Sequence, residues 1–343
     1  MKIVIDAAGG DYAPHEIVKG AAKAAQEFGV EIVLVGRKNV LRKLSEKAHS
    51  KHGKQHVTIV DATQVIDFGE HPVRALQNKP DSSIVVGINL LKSGEAQAFV
   101  SAGNTGAVMA AALLALGKTN GISRPAIGCF LDTLSSFPAL LVDAGANADC
   151  RPEHLLEFAR LGSIYSQHLL GIPRPRVGLL NVGAEEGKGN RLTQETYELL
   201  KNDADIEFAG NVEGHDIVKR TVDVIVTDGF TGNVVLKTIE GFSDSFLMSV
   251  KEMGRVFSSA SRLRARDLLR DIGLGAWTRK MDYTEYGGAC LLGVNGNVII
   301  AHGRSQAKAI KNAIGLARET VERGITEKVR EGTHGKTGGN SRS

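Results

Sequence analysis

Short runs of β-branched and other apolar residues alternate along the chain with segments in which apolar residues recur at helical spacing. Most of the short runs are continuously apolar, which is typical of strands buried on both faces of a sheet. The pattern predicts nine strands, at Lys2–Ile5, Glu31–Val35, Val57–Val60, Ala98–Ser101, Ile127–Leu131, Ala139–Val142, Arg176–Leu180, Asp223–Thr227 and Val298–Ala301.

The segments between these runs have apolar residues three and four positions apart, which predicts helices. They are His15–Phe28, Asn39–His49, Thr105–Gly117, Pro152–Leu170, Thr193–Lys201, Asn233–Met253 and Ser305–Arg323. Strands that alternate with helices in this way favour a three-layer α/β/α fold built on a mostly parallel sheet. We expect residues 1–326 to form a single α/β catalytic domain.

One segment departs from the alternation. From Phe242 onward apolar residues recur at helical spacing, and a second apolar stretch with interleaved basic residues follows. We predict a projecting helical hairpin at about residues 240–282. Its basic and aromatic residues include Arg262, Arg264, Arg266 and Trp277. The polar residues 327–343 predict a disordered tail.

Composition and charge change this picture little. The chain has 343 residues, of which 42% are hydrophobic and 23% charged, with a net charge of +4 that permits an acidic partner without requiring one. Three scattered cysteines suit a reduced, cytoplasmic compartment, and the first residues predict a strand rather than a secretory signal. No residue cluster has zinc-ligand spacing, so we expect no metal and no cofactor.

The 40 glycines matter more, because they lie in the turns that follow the predicted strands. Glycine lets the backbone approach a ligand closely, and the N-terminus of a helix offers free N–H groups to phosphate. Ligands of open parallel sheets bind beyond the carboxyl ends of the strands. We therefore expect six turns to converge on one side of the sheet as a phosphate site, at residues 6–11, 101–106, 143–147, 181–190, 228–233 and 302–305.

Several familiar sites are excluded by their spacing. Lys188 does not stand in a G-x-x-x-x-G-K-[ST] sequence, no G-x-G-x-x-G follows the first strand, and no G-x-S-x-G is present. The chain therefore lacks the signatures of a P-loop, of an ordinary dinucleotide site and of a serine hydrolase. His302 lies at a strand end, where a lone histidine is more often structural than catalytic.

Eight stretches carry a resemblance over most of the chain, in order from residue 3 to about residue 305. They are IDAAGGDYAP, PVRALQNKPDSSI, SAGNTGA, VDAGANADCRPEHL, GLLNVGAEEGKGN, VTDGFTGNVVLKTIEG, DYTEYGGACLLGVNG and IIAHGRS. Together they resemble the bacterial phosphate acyltransferase family, the acyl-carrier-protein:phosphate transacylases of phospholipid synthesis. The resemblance implies that long-chain acyl-[acyl-carrier-protein] and inorganic phosphate give acyl phosphate and free carrier protein.

The resemblance also implies the fold of phosphotransacetylases and of isocitrate or isopropylmalate dehydrogenases, in a homodimer. Such a protein is cytoplasmic, associates peripherally with the membrane, and passes acyl phosphate to a membrane-bound glycerol-3-phosphate acyltransferase. The predicted hairpin could then form a dimer interface or core, dock the acidic carrier protein, or contact anionic lipid. The candidate carrier-protein or membrane surface on it consists of Arg262, Arg264, Arg266 and Trp277. No nucleic-acid partner is expected.

Phosphate is already a nucleophile at neutral pH, so this chemistry needs two substrates held in line and donors for an oxyanion. We expect direct attack rather than a covalent enzyme intermediate. The candidate catalytic residues are Lys188, Asn104, Asn181 and Asn233, with Asn190 as a further donor to the acyl carbonyl. The candidate phosphate-binding residues are Gly9, Gly10, Ser101, Gly103, Thr105, Gly106 and Thr231. We expect Lys188 and the Ser101–Thr105 turn to hold the phosphate together.

Three other functions remain open at this point. A short-chain acyl-CoA phosphotransacetylase would use nearly the same loop chemistry. A decarboxylating dehydrogenase on the same fold would need a divalent metal held by carboxylates and a nicotinamide site, and the sequence shows no clear version of either. A non-enzymatic membrane-associated scaffold for lipid synthesis would lack phosphate-dependent thioester cleavage.

Overall fold

The computed structural model describes residues 1–52, 56–131, 133, 137–258 and 287–334. The described strands are β1 (Lys2–Asp6), β2 (Glu31–Gly36), β3 (Val57–Asp61), β4 (Ala98–Ser101), β5 (Ala126–Leu131), β6 (Ala139–Val142), β7 (Arg176–Leu180), β8 (Glu207–Val212), β9 (Val224–Val226), β10 (Ala289–Leu292) and β11 (Asn297–Ile300). The described helices are α1 (His15–Phe28), α2 (Lys38–His52), α3 (Pro72–Asn78), α4 (Ser83–Lys92), α5 (Thr105–Leu116), α6 (Pro152–Leu169), α7 (Arg191–Lys201), α8 (Gly229–Ser258), α9 (Ala307–Glu322) and α10 (Ile325–His334).

Both faces of the single sheet are buried. In β1, Ile3 and Ile5 pack into one hydrophobic cluster and Val4 packs into another, and none of the three is more than 1% exposed. The first cluster contains residues of α1, α2, α6, α7, α9 and α10, and the second contains residues of α3, α4, α5 and α8. The predicted three-layer α/β/α fold is confirmed.

The nine predicted strands are all present, and the structure adds β8 and β10. Strand β8 lies at the end of the sheet and is only partly buried, so its sequence lacks a continuous apolar run. Strand β10 has four residues, Ala289–Leu292, and stands among glycines, which favours a loop in the sequence pattern. Helices α3, α4 and α10 are also additions to the predicted elements.

The strand order is β3-β2-β1-β4-β11-β10-β5-β6-β9-β7-β8. Strand β10 runs antiparallel to β11 and to β5, and β5 runs antiparallel to β6. The other neighbouring strands are parallel. Three consecutive reversals mean that β6, β9, β7 and β8 run opposite to β1, β2, β3, β4 and β11.

The prediction that six glycine-bearing loops converge on one side of the sheet is therefore wrong. The loops after β1, β4 and β11 leave one edge, and the loops after β6, β7 and β9 leave the opposite edge. The central strands are short, however. Through the registers of β11, β10 and β5, Ser101 and Asp143 differ by two residues, which is roughly 7 Å along the strands. Loops from both edges can therefore reach one central cavity.

The predicted helical hairpin and the predicted C-terminal tail are described only in part by the structure. Helix α8 covers the first part of the predicted hairpin, but residues 259–286, and with them Arg262, Arg264, Arg266 and Trp277, lie outside the described residues. Helix α10 begins at Ile325 and buries Val329, so residues 327–334 are helical rather than part of a disordered tail. Residues 335–343 also lie outside the described residues.

A glycine in α4 and a glycine in α8 test how closely these two helices pack on the sheet. A Cβ atom at Gly87 of α4 would overlap the buried Phe99 ring, whereas a Cβ at Gly241 of α8 would meet open space. We expect Gly87→Ala to lower the free energy of unfolding by about 2 kcal/mol through overpacking. Gly241→Ala should raise it by up to about 1 kcal/mol through helix propensity. Urea titration of both variants measures the difference, and equal effects would contradict the packing.

Candidate functional site

A cavity of about 860 Å³ lies between α5 and α8, against the face of the sheet on which α3, α4, α5 and α8 pack. Strands β5 and β11 contribute its floor, and the two helices contribute its side walls. Its apolar lining includes Met109, Ile127, Cys129, Leu236, Ile239 and Ile300. A long apolar group fits such walls, because pockets of this size bind mainly through apolar contact with a few placed polar groups.

Polar groups enter this cavity from both edges of the sheet. Thr105 and Gly106 at the start of α5, together with His302 after β11, come from one edge. Gly145 after β6 and Asn233 in the first turns of α8 come from the other edge. Four of the six predicted loops therefore reach the cavity, while its described lining includes no residue of the loops after β1 and β7.

The start of α5 is fixed by Asn104, which is only 6% exposed. Its side-chain oxygen accepts the N–H of Ala107 at 3.0 Å, and its amide nitrogen donates to the carbonyls of Asp67 (2.9 Å) and Glu70 (3.2 Å). Asn104 thus caps the helix and holds a neighbouring loop rather than facing the cavity. The N–H groups of Thr105 and Gly106 in the first turn have no helical acceptor, which leaves them suited to an anion.

The turns after β1 and β4 are packed against each other around Asp6. The Ser101 hydroxyl donates to Asp6 at 2.7 Å, the N–H of Gly9 donates to it at 3.0 Å, and the N–H of Gly103 donates to the Ser101 oxygen at 3.0 Å. Burial raises the pKa of Asp6, although these hydrogen bonds offset part of the effect. A Cβ at Gly9 would overlap the backbone of Gly103, and Gly10 has φ +114°. Gly9, Ser101 and Gly103 therefore pack the two loops together, and their role in phosphate binding stays a prediction.

Asp143 organises the loop after β6 in a similar way. Its carboxylate accepts the backbone N–H groups of Ile127 (3.0 Å), Gly145 (3.1 Å) and Asn147 (2.7 Å). Burial raises the pKa of Asp143, and the hydrogen bonds from the loop act against that rise. Gly145 has φ +135°, and the Asn233 side chain lies where a Cβ of Gly145 would stand. The backbone of this loop is therefore in direct contact with the Asn233 side chain, which lines the cavity.

Helix α8 brings Asn233, Lys237 and Glu240 to the cavity from successive turns. A Glu240 oxygen lies 3.5 Å from Nε2 of His302, whose Nδ1 accepts the N–H of Arg304 at 3.1 Å. Burial by itself would raise the pKa of Glu240, but the hydrogen bond and charge of His302 outweigh it and hold that pKa below its usual range. Sequence reasoning missed Lys237 and Glu240, although their spacing from Asn233 places all three on one helix face.

The loop after β7 uses its own polar groups. The Asn181 amide donates to the carbonyl of Lys188 at 3.1 Å, and Asn190 accepts the N–H of Thr193 at 2.9 Å as the cap of α7. In the loop after β9, the Thr231 hydroxyl donates to the Asp228 carboxylate at 2.8 Å. These side chains therefore shape loops.

Lys188 itself is exposed. Strand β7 stands six places from β4 in the sheet, which corresponds to roughly 29 Å at the usual strand spacing. Lys188 is not among the described residues that line the cavity, and its predicted pairing with the Ser101–Thr105 turn on one phosphate stays a prediction. Of the predicted catalytic and phosphate-binding residues, the cavity brings together Thr105, Gly106 and Asn233.

Comparison with known proteins gives the family. The model of the family described as "Fatty acid synthesis protein" matches residues 1–328, and the chain belongs to this family. A protein named phosphate acyltransferase from Dehalococcoides mccartyi is 53% identical over 339 residues, which are 98% of this chain and 96% of that protein. A phosphate acyltransferase from Dictyoglomus turgidum is 47% identical and covers 97% of each chain.

Solved structures share the fold at low sequence identity. A phosphotransacetylase from Streptococcus pyogenes superposes with a TM-score of 0.59 at 19% identity, over 94% of each chain. A branched-chain phosphotransacylase from Enterococcus faecalis gives a TM-score of 0.57 at 13% identity, over 94% of this chain and 99% of that one. The predicted likeness to the phosphotransacetylase fold is confirmed.

The role of Asp143 can be tested against a neighbouring aspartate. Asp143→Ala leaves buried N–H groups without an acceptor and should lower the free energy of unfolding by about 3 kcal/mol. Asp149 is exposed on the same loop, and Asp149→Ala should change that free energy by less than about 0.5 kcal/mol. Denaturant unfolding measures both changes, and a stable Asp143→Ala protein would show that water replaces the carboxylate.

Proposed function

We propose that this member of the fatty acid synthesis protein family transfers a long-chain acyl group from acyl-[acyl-carrier-protein] to inorganic phosphate. The products are acyl phosphate, for glycerol-3-phosphate acylation, and free carrier protein. The observation that carries the proposal is an apolar cavity that is lined in part by the first residues of α5. Apolar walls suit the acyl chain, and helix N–H groups suit phosphate. The names of the curated relatives support the same reaction.

The chemistry can proceed by direct attack. A phosphate oxygen attacks the thioester carbonyl carbon, a C–O bond forms, and the C–S bond breaks. The proton of the monohydrogen phosphate ends on the departing thiolate, so no other acid or base is consumed. We assign the N–H groups of Thr105 and Gly106 to phosphate, and the Asn233 amide to the carbonyl oxygen as its charge develops.

The cysteines support direct attack over a thioester on the enzyme. Burial raises the pKa of Cys129, which lines the cavity, to about 12, and raises that of Cys150 to about 11. Burial also raises the pKa of Cys290. Because the thiolate is the nucleophilic form, these thiols are unreactive at neutral pH.

Partners beyond the two substrates belong to the same proposal. We propose a cytoplasmic homodimer that contacts the membrane peripherally and delivers acyl phosphate to a membrane-bound acyltransferase. The described helices include none with the length and apolarity needed to cross a bilayer. Arg262, Arg264, Arg266 and Trp277 remain the predicted carrier-protein or membrane surface. Lys188 and Asn181 remain predicted catalytic residues, although neither is among the described residues that line the cavity.

The reaction is tested by free thiol released from palmitoyl-[acyl-carrier-protein] with and without inorganic phosphate. We expect thiol release that depends on phosphate and is matched by acyl phosphate formed. A parallel arm with acetyl-CoA should give little product, because the cavity is large and apolar.

Each contrary result points to a different function. Faster turnover of acetyl-CoA than of palmitoyl-carrier protein would favour a short-chain phosphotransacetylase. No thiol release from a folded preparation would favour a non-enzymatic scaffold. Thiol release that is independent of phosphate would indicate hydrolysis.

The cavity as the acyl site is tested by narrowing it. Met109 of α5 lines the cavity, whereas Leu114 of the same helix is 73% exposed. We expect Met109→Trp to lower kcat/KM for palmitoyl-carrier protein relative to octanoyl-carrier protein by about tenfold or more. Leu114→Trp should leave this ratio unchanged. Equal losses for both chain lengths in Met109→Trp would place the acyl chain elsewhere.

A further inference from the structure

A cation would strengthen the binding of inorganic phosphate between apolar walls. Taking a dianion out of water is costly unless a charged partner and hydrogen bonds replace the water. Helix N–H groups supply hydrogen bonds and a partial positive charge at the start of α5, but no full charge. The cation has to come from a side chain that reaches the cavity.

Lys237 meets this requirement. It is the only lysine or arginine among the described residues that line the cavity. It lies on α8 one turn beyond Asn233, which faces the same space. A lysine at this place adds a mobile point charge with three donors to the amide and the helix N–H groups.

The ion pair between Lys237 and Glu240 is weak. Its Nζ lies 3.9 Å from Glu240, at the limit of an ion pair, and the lysine side chain is 63% exposed. Exposed pairs of this kind contribute little to stability. Glu240 is 12% exposed and also lies 3.5 Å from Nε2 of His302, so it keeps a second partner when the lysine leaves.

We propose that Lys237 is the cation that binds inorganic phosphate in this cavity, where it exchanges Glu240 for a phosphate oxygen. The inference rests on the proposed function and names the residue that holds its second substrate. It replaces Lys188 in that role, because Lys188 belongs to the β7 loop, six strand positions from β4. In this arrangement Glu240 competes with phosphate for Lys237 and repels the dianion.

Opposite charge changes on α8 should therefore have opposite effects. Lys237→Met should raise KM for phosphate by at least about tenfold, the usual cost of a lost hydrogen bond between charged groups. KM for acyl-carrier protein should change little. Glu240→Gln should lower KM for phosphate by roughly two- to threefold, because an exposed ion pair that competes with it is lost. A merely structural ion pair would move both variants in the same direction.

Lys328→Met is the matched control. Lys328 forms a similar pair with Glu331, three residues further along α10, at 3.3 Å, and does not line the cavity. Its KM for phosphate should equal that of the unaltered protein. Thermal unfolding of all variants, compared with the unaltered protein, checks that each one is folded.

The experiment measures initial rates of thiol release from palmitoyl-[acyl-carrier-protein] over a series of phosphate concentrations. An unaltered KM for phosphate in Lys237→Met, or a rise in KM for the carrier protein alone, would overturn the inference. A raised KM for phosphate in Glu240→Gln would also overturn it. Failure of the proposed function is distinct, because thiol release by the unaltered protein would then not depend on phosphate.

Discussion

The pairing of β10 between β11 and β5, antiparallel to both, determines where the loops of this protein lie. With the further reversal from β5 to β6, it turns the strands of one half of the sheet against those of the other half. Strand-end loops that would otherwise share one edge are thereby divided between two edges. The central strands are so short that loops from both edges still reach one cavity, which lies over the reversal itself.

Two buried carboxylates hold these loops, one in each half of the sheet. Asp6 ties the turn after β1 to the turn after β4, and Asp143 accepts several backbone N–H groups of the turn after β6. Much of the glycine content follows from this arrangement, because backbones that pack on one another leave no room for a Cβ, as at Gly9.

Helix α8 joins the fold to the proposed chemistry. Its inner face supplies apolar wall through Leu236 and Ile239, and polar groups through Asn233 and Lys237. It also contacts the loop after β11, where Glu240 lies near His302 and Asp244 lies 3.2 Å from Arg304. The same helix thus bounds the space for an acyl chain and carries charge for a phosphate, as transfer between the two substrates requires.

The sequence by itself determined the strands with continuous apolar runs, the layered α/β/α class and the family, because burial on both faces and long ordered motifs are local properties. It also named Thr105, Gly106 and Asn233, which line the cavity. Only the tertiary structure decided the direction of the strands, since a strand has the same apolar pattern whichever way it runs. It also decided that Ser101 and Asn104 are engaged in loop packing, and that Lys237 and Glu240 face the cavity. These contacts join residues far apart in the chain, and the periodicity of a single segment does not predict them.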